Sequence, residues 1–128
     1  MTLVEVLFAS GLVLMAVAAG LMTLSVTAET SHASAQHTTA MCLCQDLYET
    51  IRSTDFADIT TAHFPSENNL PLTHTEAPTE VIVRCNRIVA ITDESEPHIG
   101  AKRIVITVTW RFMGRDQQER LEGIIYDL

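Results

Sequence analysis

Met1-Thr2-Leu3-Val4-Glu5-Val6-Leu7-Phe8-Ala9-Ser10 opens a run in which Glu5 is the single charge before Glu29. From Val6 to Ala28 the chain is apolar apart from small or hydroxyl residues such as Ser10, Gly11, Gly20, Thr23 and Ser25. That length suits a bilayer crossing, which takes about 20 residues. A cleavable secretory signal would carry a basic flank ahead of the apolar stretch, and here the flank is acidic. A carboxylate at the front of such a segment is costly and calls for a partner.

The run does not end in a turn. Between Glu29 and Thr54 there is no Pro and no Gly. Ala40, Leu43, Cys44, Leu47, Tyr48 and Ile51 recur at the spacing of one helix face, with Asp46, Glu49 and Arg52 off it. The reading is one helix of about 50 residues, near 75 Å at 1.5 Å per residue. Residues 1–28 are apolar all round, and residues 29–55 form an amphipathic half that ends at Ser53-Thr54-Asp55. A helix of this kind is too long to bury in one small domain, so its first half must meet lipid or other subunits.

Residues 56–79 read as a connector, because Pro65, Pro71 and Pro78 forbid continuous helix and Ser66, Asn68 and Asn69 supply turn chemistry. Strand patterns then fill residues 80–127. From Glu80 to Thr92, Val81, Val83 and Cys85 share one face and Ile82, Arg84 and Asn86 the other, with an apparent phase slip at Arg87-Ile88 that suggests a bulge. Asp93 to Gly100 reads as a connection. Lys102 to Phe112 alternates, with Ile104, Ile106, Val108, Trp110 and Phe112 inward. Met113-Gly114-Arg115-Asp116 reads as a tight turn, and Gln117 to Tyr126 as the returning strand. The expected fold is α+β: a long N-terminal helix packed, through its Ala40–Ile51 stripe, on an antiparallel meander of three or four strands.

At 128 residues and a formal net charge of −8, with eight scattered Lys and Arg, the chain is one domain plus an apolar segment and is a poor candidate for nucleic acid binding. A head of about 75 to 100 residues has a marginal core unless stapled or packed against something else. Cys44 on the helix stripe and Cys85 on the inward strand face are placed to meet, so a Cys44–Cys85 disulfide is expected, with two reduced buried thiols or a Cys42–Cys85 bond as the alternatives. Cys42, two residues from Cys44, points away, and with His37 the pair makes no metal set. His32, His37, His63, His74 and His98 show no ligand spacing and read as solvated surface. Asp93, Glu94 and Glu96 lack a calcium-loop pattern and read as a solvated turn. Trp110 reads as core. No phosphate loop, nucleophile elbow or acid–base pair is present, so neither catalysis nor a cofactor is expected.

Thr2-Leu3, Glu5 and the unbroken apolar helix resemble the mature start of type IV pilins and type II secretion pseudopilins, over roughly the first 25 residues. Leu43-Cys44-Gln45-Asp46-Leu47-Tyr48-Glu49, Arg52-Ser53-Thr54-Asp55-Phe56 and Val108-Thr109-Trp110 resemble the minor-pilin and pseudopilin-I-like branch. The resemblance implies a leader cut before Met1 by a prepilin peptidase, N-methylation of Met1, storage in the inner membrane, and assembly with other copies or other pilins into an extracellular pilus or periplasmic pseudopilus. In that setting Glu5 pairs with the Met1 amine of the neighbouring subunit. The competing role for Glu5 is a simple cap on the first helical turn, where a carboxylate suits the helix dipole. Two features depart from the family: Met1 stands where Phe is usual, and Met22 stands where a helix-loosening Pro is common. Only Gly11 and Gly20 remain as places for that segment to melt. A single-pass anchored binding module that never polymerises is the reading from a different class.

Overall fold

The computed structural model describes residues 2–74, 81–96 and 99–127. Helix α1 runs from Leu3 to Arg52, unbroken through Gly11 and Gly20. Its first turn is fastened by Thr2, whose carbonyl accepts from the N–H groups of Glu5 at 3.0 Å and Val6 at 3.3 Å. At the other end Ser53 and Thr54 close the last turn, with both hydroxyls donating to the Thr50 carbonyl and Arg52 set against the negative end of the dipole. A single 3-10 turn, Phe56–Asp58, follows.

Four strands form one antiparallel sheet in the order β1-β2-β3-β4: β1 Glu67–His74, β2 Val81–Glu96, β3 Ile99–Phe112 and β4 Arg115–Tyr126. The α+β fold and meander are therefore as expected, with four refinements. The connector of residues 56–79 contains β1, an edge strand in which Pro71 is tolerated because an outer strand need not donate on both sides. Strand β2 runs on to Glu96 and β3 starts at Ile99, so the expected connection of residues 93–100 is mostly strand; Pro97 and His98 lie outside the described residues. The bulge lies on β1 and not at Arg87-Ile88: Glu67 pairs with Arg87 and Leu70 with Cys85, leaving an extra residue at Asn68–Asn69, where Asn69 takes a φ of 66°.

Strand β2 keeps its phase through the suspected slip. Its pairing with β3 is continuous from Cys85↔Trp110 to Glu96↔Ile99. Arg87 simply occupies an inward position, where its guanidinium meets the Glu67 carboxylate at 2.6 Å, and Ile88 faces solvent. The tight turn is narrower than expected. Met113 and Gly114 alone form it, with φ of 49° and 76°, and Arg115 already pairs with Phe112. Positive φ at both central positions is the two-residue hairpin geometry that matches strand twist.

The chain divides into two compact units, residues 1–34 and residues 35–128. Within the second unit the helix stripe packs on the sheet: Ala40, Cys44 and Ile51 are buried with Ile59, Leu72, Cys85, Ile104, Ile106, Val108 and Trp110. Leu43, Leu47 and Tyr48 pack at the margin of this core. Each fully buried Ile or Val contributes about 1.5–3 kcal/mol relative to exposure. Gly123 on β4 leaves room for Tyr48, whose ring occupies the volume that a Cβ there would fill.

Candidate functional site

In the first unit, Leu3, Phe8, Leu12, Met15, Leu21, Met22 and Val26 are all exposed, as are the other large apolar residues of the run. By length and composition this helix is capable of crossing a membrane. Its hydroxyls are hydrogen bonded within the helix: Ser10 donates to the Leu7 carbonyl at 2.9 Å, Thr23 to Ala19 at 2.9 Å, Ser25 to Met22 at 2.8 Å and Thr27 to Thr23 at 2.8 Å. Such back-bonding makes polar side chains tolerable in hydrocarbon. Glu5 is the group this device does not neutralise.

Among the described residues, Glu5 has one partner in its own chain. Its Oε2 accepts from the Thr2 backbone N–H at 3.4 Å, a long and weak bond. Thr2 and Glu5 thus stand as the N-cap and third residue of a capping box, in which the carboxylate reaches back to the first free N–H. Met1, the expected methylation site and source of the pairing amine, lies outside the described residues.

The cysteines separate by environment. Cys42 is exposed, while Cys44 and Cys85 are buried in the same core cluster as free thiols, without the expected bond between them. Burial pushes the Cys44 thiol pKa up, and the nearby Glu119 carboxylate adds to it. Burial also raises Cys85. Both are protonated, unreactive groups at neutral pH.

Several residues gain a role that the pattern reading missed. His37 is not plain surface: its Nδ1 lies 2.6 Å from Glu119 Oε1 and its ring stands edge-on to Trp110 at 4.9 Å. Gln36, buried one turn before Ala40, accepts the Trp110 indole N–H through Oε1 at 3.1 Å. Extending the stripe back by four residues would have found it. Lys102 is buried, with Nζ donating to the carbonyls of Phe56 at 2.7 Å and Ile59 at 2.8 Å and lying 4.7 Å from the Phe56 ring centre. Its inward position was legible, since it shares the parity of Ile104 and Ile106. Glu94 is not a solvated turn residue; it pairs with Arg103, which also meets Glu122 at 3.0 Å. His63 stands edge-on to Phe64, and the side chains of His74 and His98 lie outside the described residues. Among the described residues no three His, Cys, Asp or Glu side chains gather as a metal set.

Comparison with protein-family models, with curated proteins and with solved structures gave no match for this chain.

Proposed function

We propose that this chain is a structural subunit of a filament of the type IV pilin kind, held in the inner membrane before assembly and packed by its apolar half-helix in the filament afterwards. The observation that carries the reading is an exposed, hydroxyl-satisfied apolar helix whose one carboxylate, Glu5, has only a weak partner among the described residues of its own chain. Removing a carboxylate from water costs several kcal/mol even after relaxation, and a second subunit's Met1 amine would offset that cost while setting axial register. The head then serves to present the sheet outside the filament. No chemistry beyond packing is required of it.

A minor pseudopilin of a type II secretion system uses the same device in a shorter periplasmic filament. The single-pass anchored module draws on one specific feature, the Thr2–Glu5 contact, because a cap within the chain needs no neighbour. Shearing cells that make the protein and probing the released filaments tests the reading. The chain in sheared filaments supports the pilus, and in short envelope-bound filaments the pseudopilus. A chain absent from both, and without N-methyl-Met1 by mass spectrometry, is an anchored module.

A further inference from the structure

The two edges of the sheet are built differently. Strand β1 carries Pro71 and the Asn68–Asn69 bulge, both of which discourage a further strand. Strand β4 is terminal on the other side, runs for 12 residues, and contains neither Pro nor bulge. Its main-chain groups can be assigned to one side or the other. A two-residue loop with both φ positive closes on a pair, Phe112 and Arg115, that exchange hydrogen bonds. Counting by twos, Gln117, Glu119, Leu121, Gly123 and Ile125 direct their N–H and C=O groups into β3. Asp127 continues the series, donating to the Gly100 carbonyl at 2.9 Å. The even-numbered Asp116, Gln118, Arg120, Glu122 and Ile124 therefore point their main-chain groups out of the open edge.

Beside this edge lies an open groove of about 530 Å³ lined by Gln45, Asp46, Tyr48 and Glu49 of the helix and Leu121 and Glu122 of β4. It is acidic. Glu49 meets Arg52 at 3.9 Å, but both side chains are largely exposed, so the pair screens Glu49 poorly. Among the described residues Asp46 has no cation within contact range. Glu122 is satisfied by Arg103 and Arg120 at 3.0 Å and 2.9 Å. Tyr48 and Leu121 give the groove floor an apolar element.

We propose that the open edge of β4 docks an extended, basic segment of a partner polypeptide, which adds as a fifth strand. Main-chain pairing with the even-numbered residues supplies attachment, and alternate side chains of the added strand reach the groove. There, Lys or Arg meets Asp46 and Glu49. A second copy of this chain is a poorer occupant, because its eight basic residues are scattered within a net charge of −8. The proposal does not depend on the filament reading, since its readout is the amides of β4 and not incorporation into any assembly.

The test uses the full chain, isotopically labelled, in neutral maltoside micelles, with two blocked octapeptide probes: one alternating Lys and Val, the other alternating Glu and Val. The Lys/Val peptide is expected to slow amide exchange at Gln118, Arg120, Glu122 and Ile124 by about tenfold or more, leaving Glu119 and Leu121 unchanged. The Glu/Val peptide is expected to do nothing. Arg120→Pro, which removes an outward N–H, should abolish the protection. Asp46→Asn with Glu49→Gln leaves the edge intact and should weaken Lys/Val binding severalfold, which keeps the test decisive if the proline variant fails to fold. Equal protection by both peptides, no protection by either, or concentration-dependent protection of the same amides without peptide would overturn the proposal, the last by assigning the edge to a second copy.

Discussion

The indole N–H of Trp110 on β3 donates to Oε1 of Gln36 on α1 at 3.1 Å, and both side chains are buried. One hydrogen bond thus fixes the helix stripe to the most strongly alternating strand, at a point where neither group has water to fall back on.

Gln36→Ala should therefore destabilise the head by more than a surface change. It leaves a buried indole N–H unpaired, a loss of about 1–3 kcal/mol. Gln36→Glu, which keeps an acceptor oxygen, should recover part of the hydrogen bond. Urea unfolding followed by Trp110 fluorescence reads both, and a midpoint unchanged in the Ala variant would show that the bond carries no net stability.

Gly123→Val puts side-chain atoms where Oη, Cε2 and Cζ of Tyr48 now lie, 2.4 to 2.6 Å from an ideal Cβ. The Tyr48 ring is the outer part of a movable side chain, so it should swing out, and the cost should be about 1–3 kcal/mol. Pairing the change with Tyr48→Ala should make the two costs less than additive. Full additivity in thermal melts would separate the two residues.

Lys102→Met keeps most of the unbranched stem, one atom shorter, and removes the ammonium that ties the carbonyls of Phe56 and Ile59 to β3. Loss of these charge-assisted bonds should cost about 1.5–3 kcal/mol. Residues 56–59 should show the largest gain in amide exchange, whereas a uniform gain across the head would mean that Lys102 does not act on that turn.

The buried thiols set a high-pH limit. The folded-state pKa of Cys44 and of Cys85 lies above the ordinary 9.0. Their contribution to stability is whole below about pH 9 and is lost as pH rises through the raised folded value, because the unfolded chain ionises first. The wild-type Tm should therefore fall more steeply above pH 9 than that of Cys44→Ala/Cys85→Ala. Below that range iodoacetamide should label native Cys42 alone. Rapid native labelling of all three would contradict the burial, and an oxidant that joins Cys44 to Cys85 without unfolding would restore the disulfide expected from their faces.

Glu5→Ala should leave membrane insertion intact and reduce incorporation into filaments. The Thr2 cap at 3.4 Å is weak, so its loss should change helix content little. Fractionation of membranes and of sheared filaments measures the two outcomes separately. Normal incorporation would remove the pairing role for Glu5.

The local periodicities were enough to set the helix to Arg52, the inward row Ile104–Trp110 and the burial of Ala40, Cys44 and Ile51, because each is a repeat along a few turns or a few residues. The lone Glu5 in its apolar run was likewise plain in the chain, and it remains the centre of the functional reading. Strand β1 was hidden by its own Pro71 and its asparagines, which are at home on an edge but mark a loop when read alone. Tertiary structure alone decided that Arg87 stays inward beside Glu67, that Gln36 and His37 face Trp110 and Glu119, that Lys102 reaches the turn at Phe56, and that Gly123 makes room for Tyr48. Each of these joins residues 20 to 82 positions apart, so each depends on the register of distant elements. Side-chain pattern gives the face a residue occupies, whereas its partner follows from sheet register and helix rotation, which are set only when the core closes.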